Sequence, residues 1–79
     1  SVMVDIIVPN EVLENDDCVV QEWWFDDGEI VEEGIVIVDI MVAKVSIEVP
    51  APASGRLTIL LQAEEEIGES GLIGKIEPL

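Results

Sequence analysis

Seventy-nine residues, 49% of them apolar, are enough for one small domain with its own core and too apolar for a disordered chain. Eighteen acidic residues against three basic ones give a net charge of −15, which argues against binding nucleic acid or an anionic membrane. No apolar run reaches the roughly 18 residues that span a bilayer and no basic leader precedes one, so a soluble chain without a visible targeting segment is expected.

The chain opens with "MVDIIV" (3–8), a β-branched run broken by one acid, and turns through "PNEVLENDD" (9–17). A second strand is predicted over "VVQEWWF" (19–25). Side chains alternate along a strand, so Trp23 and Trp24 should face opposite sides, one toward the core and one outward or beneath a loop. An acidic loop, "DDGEIVEEG" (26–34), leads to two strands, "IVIVDIMV" (35–42) and "VSIEVP" (45–50). Only Ala43 and Lys44 separate them, the spacing of a two-residue hairpin. "PAPASG" (50–55) reads as a turn, "LTILLQ" (57–62) as a strand, "AEEEIGESG" (63–71) as a second acidic loop and "LIGKIE" (72–77) as the last strand. No segment holds a helical period over a dozen residues. Many short strands in so short a chain predict an all-β sandwich or barrel.

The chain also repeats itself. A shift of 36 residues lays Val31, Val36, Ile37 and Ile40 on Ile67, Leu72, Ile73 and Ile76, and lays "DGEIVEEG" on "AEEEIGES". Two similar half-units, each with an apolar face, predict two packed sheets related by an approximate two-fold axis.

Catalytic chemistry is hard to assemble from these residues. The chain has no His and no Tyr, and Ser1, Ser46, Ser54 and Ser70 have no base to activate them. Cys18 is the only cysteine, which rules out an internal disulfide and suits a reducing compartment. Beside Asp16 and Asp17 a thiolate is disfavoured, so Cys18 is expected to pack as a small apolar residue. The acid pairs Asp16–Asp17, Asp26–Asp27 and Glu32–Glu33 lack a cleft to shift a pKa, and Trp23–Trp24 stand where a calcium loop needs acids. They read as solvated loop faces, leaving no catalytic and no metal-binding residue. Lys75 lies inside a strand-like run, where its stem can lie along the sheet. Lys44 instead stands alone at a turn.

Taken together, "DIIVP", "VVQEWW", "DDGEIVEEGIVIVDI", "KVSIEVPAPASGRL" and "IGKIEP" resemble the lipoyl domain family, the swinging-arm carriers of 2-oxo acid dehydrogenase complexes. The run "KVSIEVPAPASG" and the fourteen-residue spacing from Pro9 to Trp23 are most similar to the dihydrolipoyl succinyltransferase component. The resemblance implies a single carrier domain over 1–79, folded as a flattened barrel or sandwich of two four-stranded antiparallel sheets. It implies a lipoate joined covalently to Lys44 at a hairpin tip, the cofactor supplying the redox and acyl-transfer chemistry. The implied partners are a 2-oxo acid decarboxylase, the acyltransferase core, dihydrolipoamide dehydrogenase and a lipoate ligase. The implied setting is a bacterial cytoplasm or mitochondrial matrix, with the isolated domain monomeric.

The chain departs from the family's pattern near the turn. The family usually places an acid, a Thr or Ser, and Asp before the modified lysine; here those positions are Met41, Val42 and Ala43. Glu64 and Ser70 stand where glycine is usual, and Phe25 and Asp26 where basic residues are frequent. These departures bear on recognition by the ligase and the decarboxylase, which both read the surface near the turn. Biotinyl domains share the fold and set their lysine in Ala-Met-Lys-Met, whereas here Met41 lies three residues before Lys44 and Val45 follows it. Two alternatives stand beside the lipoyl reading. One is a biotinyl carrier domain; the other is an unmodified, altered or designed β-sandwich with no carrier activity.

Overall fold

Runs of β-branched residues bury their apolar side by pairing into sheets, and this chain forms seven strands in its computed structural model, which describes residues 2–9 and 18–79. They are β1 (Val4–Ile7), β2 (Cys18–Trp23), β3 (Ile30–Val31), β4 (Val36–Val42), β5 (Val45–Pro50), β6 (Gly55–Ile59) and β7 (Leu72–Glu77). The turn expected over 9–17 lies outside the described residues apart from Pro9, and so does the pair Asp16–Asp17. No helix occurs among the described residues.

The strands form two antiparallel sheets, one in the order β1-β7-β6-β3 and the other in the order β2-β4-β5. The all-β class follows expectation, while the second sheet has three strands rather than four. Residues 64–67 occupy the missing place beside β2. They make one bridge, Val19 to Glu66, with Glu64 N–H donating to Val20 O (2.7 Å) and Ile67 N–H to Cys18 O (2.9 Å). Three consecutive glutamates favour strand poorly, so pairing stops there. The result is a flattened sandwich, not a closed barrel. β3 was hidden in the acidic loop expected at 26–34; two residues show no alternation, and only their pairing with Arg56 and Gly55 makes them a strand.

The repeat is visible in the pairing. β4 lies between β2 and β5 as β7 lies between β6 and β1. Ile37 and Ile73, 36 residues apart, are both wholly buried, and so are Ile40 and Ile76. Each such side chain contributes about 1.5–3 kcal/mol by leaving water. Both Ile37 and Ile73 are bulge residues, skipped where the register slips against β5 and β1. Gly74 lies where neighbours leave no room for a side chain. A Cβ there would lie 2.8 Å from Thr58 O and 3.2 Å from the Trp23 ring. Val4 pairs with Ile76, which brings the two ends of the described chain together.

Candidate functional site

Val42 and Val45 form the last registered pair of β4 and β5, and Ala43 and Lys44 alone close the hairpin. Ala43 has φ 48° and Lys44 φ 71°. Positive φ at both central residues is the type I′ turn, whose twist matches that of the strands. The usual occupants are Asn and Gly, and an ordinary L-residue in this region costs about 1–2 kcal/mol. Six registered pairs from Val36–Pro50 to Val42–Val45 hold the turn in place. Val42 is buried at the base, while Ala43, Lys44 and Val45 are exposed.

The three basic side chains differ in what they touch. Arg56 Nη1 donates to Gly28 O at 3.0 Å, and Lys75 Nζ lies 3.7 Å from Asp5 Oδ1 across the first sheet. Lys75 is thus the strand-bound lysine that was expected. Lys44 has no ion pair or side-chain hydrogen bond among the described residues. Its amine is displayed at the tip of a two-residue hairpin, an arrangement suited to being modified by another enzyme.

The other candidates fall into structural roles. Cys18 pairs with Val42, is buried, and has its thiol pushed up from the ordinary range by desolvation, so it is a protonated core residue. Trp23 is half-buried and its Nε1–H donates to Leu61 O at 2.8 Å; Trp24 is exposed, as alternation predicts. Asp27 Oδ1 accepts from Ile59 N–H at 2.7 Å and so ties its loop to β6. Glu32 and Glu33 are exposed, and the Glu33 N–H donates to Ser54 Oγ at 2.9 Å.

Two features near Lys44 escaped sequence reasoning. On the outer face of its sheet, Glu22, Asp39 and Glu48 stand abreast on β2, β4 and β5. They do not converge; no group of three or more His, Cys, Asp or Glu is arranged to hold a metal among the described residues. Cross-strand register, which the sequence does not display, creates this row. The second feature is Gln21, a bulge residue in β2 whose side chain reaches Ser46 on β5. It had a signal. Val20 and Trp23 both pair with inward residues of β4 although they are three apart, a break in the period of two.

A small sandwich that holds an exposed lysine at a two-residue hairpin tip has an architecture suited to displaying that lysine. Comparison with family models agrees. The biotin/lipoyl-attachment model, described as "Biotin-requiring enzyme", matches residues 5–76, and the chain belongs to this family. Its members are carrier domains, covalently modified on a lysine with lipoate or biotin. No curated protein matches the chain.

Proposed function

We propose that the chain is a lipoyl carrier domain of a 2-oxo acid dehydrogenase acyltransferase and that Lys44 is its attachment residue. The observation that carries this reading is the exposure of Lys44: it stands on a type I′ turn, while Arg56 and Lys75 are engaged elsewhere. A ligase must seat its target amine beside an activated carboxyl group. A lysine in the middle of a four-stranded sheet cannot enter such a site, and a two-residue tip can. The ligase removes a proton from Nζ, the nitrogen attacks the activated acyl carbon, and an amide forms as the leaving group departs.

The bound group would supply redox and acyl-transfer chemistry; the protein supplies position. The hairpin presents the arm without bulk, and tethering keeps it at high effective concentration near a decarboxylase, an acyltransferase core and dihydrolipoamide dehydrogenase. The run "KVSIEVPAPASG" after Lys44 supports the lipoyl branch. Biotin is the second reading, favoured by the apolar residues Ala43 and Val45 on either side of Lys44.

Intact mass after expression with both lipoate and biotin ligases separates the readings. The expected outcome is one lipoyl adduct, lost in Lys44→Arg and retained in Lys75→Arg. The Lys44→Arg fold should stay intact, within about 0.5 kcal/mol, because an exposed turn charge contributes little. A biotin adduct would replace lipoyl with the second reading. An adduct on Lys75, or no adduct under either condition, would remove Lys44 from the role.

A further inference from the structure

The two sheets differ in their bulges as well as in strand number. β4 and β7 carry matched bulges at Ile37 and Ile73, but a third bulge, at Gln21 of β2, has no counterpart. β2 skips from the pair Val20–Ile40 to Glu22–Asp39, whereas β6 runs from Leu57–Ile76 to Thr58–Lys75 without a break. The extra residue sits only in the sheet that holds Lys44. Gln21 Oε1 accepts a hydrogen bond from Ser46 Oγ at 2.7 Å, and Ser46 is the second residue after Lys44. Met41 of β4 is the registered partner of Ser46, so the bond ties the two outer strands of the sheet across the middle one.

We infer that Gln21 and Ser46 are positioning residues for Lys44, an inference that rests on the carrier reading above. The tip carries two non-glycine residues at positive φ, and such geometry persists only where its surroundings over-determine it. Among the described residues β5 pairs only with β4, so the ladder holds exposed Val45 and Ser46 from that side. The bond to Gln21 adds a second hold, one residue pair from the turn. Bulges re-aim side chains and recur beside functional sites, and here the re-aimed side chain reaches the lysine hairpin. Without the bond the hairpin end loosens and fewer molecules present the lysine in one pose. The apparent KM of an attaching enzyme then rises while its chemical step is unchanged.

The test uses the whole domain with a purified lipoate–protein ligase, lipoate and ATP. Gln21→Ala and Ser46→Ala should each raise KM about three- to tenfold with kcat unchanged, the range expected for one exposed hydrogen bond. The double variant should match either single one, and Ser46→Thr, which keeps the hydroxyl, should restore KM. Ser54→Ala is the control. It removes the exposed bond to Glu33 N–H beyond the far end of β5, and its KM should stay at the wild-type value. Amide exchange at Val45, followed by NMR on unmodified domain, should quicken by a similar factor in Ser46→Ala. An unmoved KM, or one that moves as far in Ser54→Ala, would overturn the inference. If the wild type accepts no lipoate, the lipoyl reading fails, and Val45 exchange decides alone: faster exchange in Ser46→Ala upholds the positioning role, and unchanged exchange ends it.

Discussion

Two rungs at two-fold-equivalent places handle charge in opposite ways. On the first sheet, Asp5, Lys75 and Thr58 stand abreast on β1, β7 and β6, and Lys75 pairs with Asp5. On the second, the equivalent row is Glu48, Asp39 and Glu22, three carboxylates and no cation. Asp39 Oδ1 is buried there without a hydrogen-bond partner among the described residues. Directly opposed like charges are destabilising, each by well under the 1.5–3 kcal/mol or so that a buried isoleucine contributes. The interior shows the reverse pattern, with Ile37 and Ile40 matched by Ile73 and Ile76, all wholly buried. The two-fold therefore survives where packing enforces it and lapses on the outer face, most of all on the sheet that displays Lys44.

The largest effect expected from this comparison lies in the core. Ile40→Ala and Ile76→Ala should each lose about 2–5 kcal/mol by urea denaturation, and by similar amounts because their surroundings are equivalent. A chain of this length has only about 4–12 kcal/mol in all, so Ile40→Val and Ile76→Val serve where the alanine variants unfold. Losses that differ by more than about 1.5 kcal/mol between the mates, beyond the usual error of such comparisons, would break the equivalence.

Next comes the rung itself. Asp39→Lys installs the residue its mate carries and sets a cation between Glu22 and Glu48. It should raise the urea midpoint by about 1 kcal/mol in stability at low salt, and the gain should shrink as salt is added. A loss of stability, or a gain indifferent to salt, would mean that the carboxylate row is not the strained one.

A smaller effect is expected at two matched turns. Glu29 N–H donates to Asp26 O (3.1 Å), and Glu65 N–H to Gln62 O (3.2 Å). In both, the closing glutamate reaches back, Glu29 Oε1 to Asp26 N–H and Glu65 Oε1 to Gln62 N–H. The third residue has φ 92° at Gly28 and φ 74° at Glu64. Glycine takes that conformation freely and glutamate does not. Glu64→Gly should therefore gain about 0.5–1 kcal/mol, a Tm rise of about 2–8 °C, while Gly28→Ala should lose a similar amount. No change at either position would show that the turns are not equivalent in strain. At the other unusual position, Ser70, the second half adapts differently: the positive φ moves one residue on, to Gly71.

Much of this could be read from residues alone, and what could not has a common cause. Six strands and the 36-residue repeat follow from local β-branched runs, and Lys44 was exposed as a tip by the two-residue gap between "IVIVDIMV" and "VSIEVP". β3, the Glu66 bridge, the carboxylate row and the Gln21–Ser46 bond all depend on which residue lies across from which. That register is set by pairing between distant segments. Bulges shift it further, each by one residue. The positive φ at Ala43 was also hidden, because alanine is not a residue that announces it.

Ala43 allows the smallest effect to be separated into its parts. Asn and Asp both tolerate the left-handed region better than alanine, since their short polar side chains bond locally to the backbone. Ala43→Asn and Ala43→Asp should therefore each stabilise the hairpin by a few tenths of a kcal/mol to about 1 kcal/mol, measurable as equal shifts in the urea midpoint. Only Ala43→Asp adds charge. If an attaching ligase or a partner decarboxylase reads an acid before the lysine, modification or reductive acylation should rise in Ala43→Asp and stay at the wild-type rate in Ala43→Asn. A rise in both would mean that turn geometry, not charge, limits recognition. A rise in neither would mean that the apolar approach to Lys44 through Val42 and Ala43 is itself acceptable to the enzymes that use this tip.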